Sequence, residues 1–102
     1  MKVYGVAASR GIAEGKCVLY QDDISFRGDE KVILVTDFLP PTVASLDPAV
    51  VGIVTEDGGI LSHAACIARE VGIPWIVGVE NAIELLEDKF ITMNGGEGEI
   101  YV

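Results

Sequence analysis

Residues 58–82 read GGILSHAACIAREVGIPWIVGVENA, and the punctuation of this stretch decides the fold. Gly58-Gly59 allows a sharp turn, Ser62 is a good N-cap, and small residues carry a helix past Glu70 until Gly72 and Pro74 stop it. Trp75 to Val77 then reads as a brief strand. The chain's only histidine, His63, falls in the first turn of that helix. Unpaired amides there, with the positive end of the helix dipole, can receive a phosphoryl group bonded to an imidazole nitrogen. The same dipole favours the neutral, nucleophilic imidazole over imidazolium. A group that accepts and then donates phosphate near neutral pH must be both nucleophile and leaving group, which neutral imidazole is and a serine ester is not. The plain alternative is a helix-terminal histidine that caps or packs.

Working outward, residues 2–7 and 16–21 are apolar or β-branched runs that predict two strands joined by a loop at Gly11 and Gly15. The polar residues 22–29 predict a turn. KVILVTD at 31–37 is the clearest strand, and Pro40-Pro41 predicts a short helix to about Leu46. A strand from Val50 to Thr55 runs into the Gly58-Gly59 turn. After Trp75 to Val77, Asn81 to Leu86 predicts a short helical turn. Phe90 to Met93 and Glu99 to Val102 predict a terminal hairpin around Gly95-Gly96. Helices fall between strands, which predicts an α/β sandwich whose compact β layer carries helices on one side.

The 102 residues fit one domain, expected to span 1–102, and half of them are apolar, enough for a modest core. Sixteen acidic residues against seven basic ones give a formal charge of −9, which argues against nucleic acid or an anionic membrane as partner. No signal-like start and no long apolar run occurs, so the chain reads as cytoplasmic. Cys17 and Cys66 have neither metal nor disulfide-framework spacing, and no metal site is expected. The basic residues are scattered, so cation clamps and Mg²⁺ ligands are expected in another domain or protein. Glu56 and Asp57, just before the glycines, either tether the imidazole or solvate the loop. Solvation is favoured, because carboxylates beside an incoming phosphate repel it. Trp75 is expected in the core rather than on a docking surface.

The stretch 58–82 closely resembles the phosphohistidine mobile, or swivelling, domain of phosphoenolpyruvate-utilising enzymes. That family includes phosphoenolpyruvate synthase, pyruvate phosphate dikinase and enzyme I of the sugar phosphotransferase system. The Gly pair, Ser-His, Ala68-Arg69-Glu70, Gly72-Ile73-Pro74 and Val77-Gly78 occur in the family's order. GVAASRGIAEGKCVLY at 5–20 looks like the family's opening and NGGEGEIYV at 94–102 like its closing hairpin. Arg10 stands where the opening commonly has Pro, and Asn94 where the hairpin commonly has Asp.

The resemblance implies a swivelling β/β/α fold and a phosphoryl carrier. His63 would become the phosphohistidine, Ser62 would orient the imidazole or bond the phosphoryl oxygens, and the amides after Gly58 and Gly59 would help hold them. Partners implied are phosphoenolpyruvate- or pyruvate-binding and ATP-binding domains or subunits, with no cofactor in this chain itself. Alone, the chain is no complete synthase or dikinase. It is either a free-standing carrier or one domain of a longer enzyme. A different class also fits: a structural or regulatory module like the C-terminal appendage of some pyruvate kinases.

Overall fold

Strand β4 (Val32–Thr36) and strand β5 (Val50–Thr55) are buried at every position but Val51, which explains why their sequences are nearly unbroken apolar runs. The computed structural model describes residues 1–19, 30–37, 49–57, 70 and 72–102. Eight strands form one mixed sheet in the order β1-β8-β7-β3-β4-β5-β6-β2. The remaining strands are β1 (Lys2–Tyr4), β2 (Val6–Ser9), β3 (Ile12–Leu19), β6 (Trp75–Val77), β7 (Phe90–Asn94) and β8 (Glu99–Tyr101). The described helix, α1 (Ala82–Leu86), lies between β6 and β7 in sequence.

β3, β4, β5 and β6 are parallel neighbours, whereas β1, β8, β7 and β3 are joined by antiparallel pairs. β2 adds to β6 antiparallel. The first and last strands of the order, β1 and β2, are consecutive in the chain with only Gly5 between them. The sheet therefore wraps until its two ends are one run of chain. Gly5 donates to the Gly98 carbonyl at 2.9 Å. A Cβ at Gly5 would lie 2.6 Å from Ile76 Cγ2, Val77 O and Val79 Cγ2, so only glycine fits the crossing.

Side chains alternate across the pleat into two cores. Cys17, Ile33, Val35, Val54, Ile76, Ile91, Met93 and Ile100 meet between the parallel and antiparallel parts, closed by Val79, Ala82 and Leu86 at α1. On the other face of the parallel strands, Val32, Leu34, Val50, Ile53, Trp75 and Val77 join Ala8 and Ala49. The outer face of the antiparallel part is solvent-facing, with Tyr4, Ile12 and Phe90 exposed and the Lys2 ammonium over the Tyr101 ring.

This is the α/β class expected, and the strands 50–55 and 75–77 and the terminal hairpin lie where the sequence puts them. The start of the chain differs. The run 2–7 is broken at Gly5, and Gly15 sits inside β3 rather than in a loop. Its Cβ would lie 2.6 Å from the Lys31 carbonyl, so the glycine serves a close approach of the neighbouring chain, not a turn. The turn expected at 22–29 and the helix expected from Pro40 to Leu46 fall outside the described residues.

Two measurements test this packing. Gly5→Ala is expected to lower stability by about 2 kcal/mol in urea unfolding, since the added methyl meets backbone as well as side chains. Burial pushes the Cys17 thiol up from 9.0 to about 12. Between those values the unfolded chain holds fewer protons than the folded one, so stability is full below pH 9 and falls as pH rises through the window. Urea midpoints for wild type and Cys17→Ala should accordingly converge with alkali above that pH.

Candidate functional site

The parallel strands end together, and at their carboxyl edge the chain leaves β5 toward Gly58. There β4 delivers Thr36 and Asp37, β5 delivers Thr55, Glu56 and Asp57, and β6 delivers Val77 and Gly78. Glu56 N–H donates to the Thr36 carbonyl at 3.0 Å and Asp57 N–H to the Asp37 carbonyl at 2.7 Å, which carries the β4–β5 pairing past the strand ends. The Asp57 carbonyl accepts from Gly78 N–H at 3.2 Å and from the Thr55 hydroxyl at 3.2 Å. The backbone of Asp57, the residue before Gly58, is thus bonded to Asp37, Gly78 and Thr55.

Thr55 is the hub of this edge. It is 1% exposed, and its Oγ1 both donates to Asp57 O and accepts from the Trp75 indole N–H at 3.2 Å. Its N-terminal neighbours and Val79 N–H, which donates to Thr55 O at 3.1 Å, complete the ladder. Trp75, 2% exposed, belongs to the core as expected.

The far end of the crossover is fixed as well. Glu70 is helical, and Gly72 takes φ 76°, the left-handed conformation of a glycine after a helix C-terminus. The buried Ser9 hydroxyl donates to the Ile73 carbonyl at 2.8 Å, and Ile53 N–H donates to the Pro74 carbonyl at 3.0 Å. Because β5 and β6 are parallel, the chain between Thr55 and Trp75 returns from the carboxyl edge to the amino edge. Gly58, Gly59, Ser62 and His63 belong to that connection and lie outside the described residues, as do Cys66 and Arg69.

Glu56 departs from expectation. Its carboxylate does not simply solvate the loop: Oε2 accepts the Ile83 N–H of α1 at 3.1 Å. Asp57 is exposed. Sequence reasoning missed the Glu56 partner because 27 positions separate the two residues. Two open clefts among the described residues, of about 560 and 500 Å³, both border Gly72 and lie at the amino edge near Ser9, Arg10 and Lys31, away from Asp57. No group of three or more His, Cys, Asp or Glu among the described residues is placed to hold a metal ion. No described helix is long and apolar enough to cross a membrane.

A small closed mixed sheet, with Gly58-Gly59 and Ser62-His63 following β5 in the sequence, matches a known class of domain. The profile of the family described as "PEP-utilising enzyme, mobile domain" matches residues 28–98, and the chain belongs to that family. Rifampicin phosphotransferase of Bacillus subtilis is 40% identical over 98% of this chain, which spans 12% of that protein. A probable phosphoenolpyruvate synthase of Archaeoglobus fulgidus is 36% identical over 95% of this chain and 13% of its own length. The chain therefore spans about an eighth of the curated relatives it matches. Among solved structures, the N-terminal domain of Enzyme 1-Nitrogen is 35% identical with a TM-score of 0.63, over 74% of this chain and 32% of that one.

Thr55→Val should cost about 2 kcal/mol, because it strands the buried Trp75 N–H without an acceptor. Urea unfolding followed by fluorescence of Trp75, the chain's one tryptophan, reads this directly. Thr55→Ser, which keeps the hydroxyl, should lose less.

Proposed function

We propose that the chain is a phosphoryl carrier that accepts and donates a phosphoryl group through a phosphohistidine at His63. The observation that carries this reading is the match of residues 28–98 to the mobile domain of phosphoenolpyruvate-utilising enzymes, because it encloses the chain's single histidine within the sequence Gly58-Gly59 to Ser62-His63. In this reading the imidazole nitrogen remote from the backbone attacks phosphorus, the donor's phosphorus–oxygen bond breaks, and the second transfer reverses the step on an acceptor. Ser62 orients the ring or bonds the phosphoryl oxygens, and amides following Gly58 and Gly59 hold them.

The backbone lock on Asp57 supports the reading, since a turn that must present one atom to two different sites benefits from a fixed origin. So does the adjacency of the chain's ends. Val102 N–H donates to the Met1 carbonyl at 2.9 Å, so in a protein of the relatives' length both connections to the domain would sit side by side. Donor and acceptor sites, with the Mg²⁺ and ATP or phosphoenolpyruvate they use, belong in this reading to separate domains or subunits. The relatives' names include both rifampicin and phosphoenolpyruvate, so the domain itself does not fix the acceptor. The working place in this reading is the cytoplasm.

The test is labelled phosphoenolpyruvate with lysate of the source cells, read by intact mass in alkali, where phosphohistidine survives. Wild type is expected to gain one phosphoryl group and His63→Ala none, with the two folding alike. A lysate that labels another mobile domain but never this one would overturn the carrier reading in favour of a regulatory module.

A further inference from the structure

Glu56 and Asp57 stand between the last residue of β5 and Gly58, and a carboxylate so placed is a problem for phosphoryl transfer, because like charges repel at short range. The structure commits the Glu56 carboxylate elsewhere, to the Ile83 N–H. That N–H is among the first donors of α1, which no carbonyl inside the helix can reach. The usual local cap is missing, since Asn81 is left-handed at φ 58° and its side chain makes no capping bond. Glu56 does from a distance what Asn81 does not. α1 is itself anchored, with Ala82 and Leu86 fully buried among Ile33 and Val35 of β4. A side chain two residues before Gly58 is thereby tied, through one helix, to the central core.

We propose that Glu56 is a positioning residue for phosphoryl transfer at His63, an inference that rests on the proposed function. Bound to α1, Glu56 fixes the end of β5 from which residues 58–63 continue in sequence, and its charge satisfies a helix donor. A displacement of about 1 Å at a reacting group can cost on the order of 100-fold in rate, so a small release at Glu56 is enough to be read.

Phosphoramidate tests this without a partner protein. The imidazole nitrogen attacks phosphorus, the new nitrogen–phosphorus bond forms as the donor's own breaks, and the donor nitrogen leaves as ammonia. Labelling rates are measured by intact mass in alkali, at a temperature where every variant is folded, with the Ile83 amide followed by NMR. Glu56→Gln keeps an acceptor oxygen for Ile83 and should label within about twofold of wild type. Glu56→Ala should shift the Ile83 amide and label about tenfold more slowly or worse. If Glu56→Ala does not fold, Ile83→Pro removes the donor instead at a helix position that tolerates proline, and should slow labelling equally.

Equal rates for wild type and Glu56→Ala, with the Ile83 amide released, overturn the inference and leave His63 standing. Slowing of Glu56→Gln to the level of Glu56→Ala also overturns it, because charge rather than the bond to α1 then sets the rate. A wild-type chain that takes no phosphoryl group overturns the reading at His63 and this inference with it.

Discussion

The hydrogen bond from Gly5 N–H to the Gly98 carbonyl, 2.9 Å long, marks the point on which the architecture turns. On one side of Gly5 the chain pairs as β1 with β8, and on the other as β2 with β6, at opposite ends of the strand order. A single residue therefore joins the two end strands of the sheet. Closure leaves β1 and β2 without the long exposed edges that invite pairing with other chains. It also encloses the larger core, where Ile33, Val54, Ile76, Met93 and Ile100 are all fully buried. Any side chain at Gly5 would push on Ile76 and Val79, so strain there spreads directly into β6 and the approach to α1.

From that closure follows the rigidity of the carboxyl edge. β5 is flanked by parallel strands on both sides, and its ladder continues beyond Thr55 through Glu56 and Asp57 to the chain after β4 and β6. Buried hydroxyls do the rest. Ser9 and Thr55 each bond a backbone carbonyl at opposite ends of the β5–β6 crossover, and neither is left without a partner inside the protein. The chain segment bearing the candidate histidine thus begins and ends on fixed points.

Much of this was legible in the sequence, for a physical reason. Strands buried on both faces must be apolar at consecutive positions, so KVILVTD and VVGIVT announced β4 and β5 directly. The glycine pair before Ser62-His63 named the candidate site through an order of residues that few other folds require. Glycine misled where its reason was tertiary. Gly15 is demanded by the Lys31 carbonyl and Gly5 by β6, and nothing local distinguishes such glycines from turn formers. The Glu56 cap on α1 was hidden for the same reason: its meaning lies 27 positions away. Gly58, Gly59, Ser62 and His63 lie outside the described residues, so what the structure adds to the candidate site is its frame.

The chemistry of that frame bears on what a carrier must do. The described carboxyl ends of β4, β5 and β6 present Thr36, Asp37, Thr55, Glu56, Asp57, Val77 and Gly78, with hydroxyls, carboxylates and backbone groups but no lysine or arginine among them. Fixed cations there would hold a phosphoryl group strongly in its resting state and raise the barrier to passing it on, since only interactions made in the transition state speed a transfer. Carboxylates left loose would repel the group before it arrived. Turning Glu56 onto α1 commits one of these carboxylates elsewhere, and in the proposed reading strong positive charge falls to the donor and acceptor sites. A domain of net charge −9 carrying a single histidine is suited to that division of labour. In the proposed reading its part is to hold one nucleophile in place while others supply the field in which it reacts.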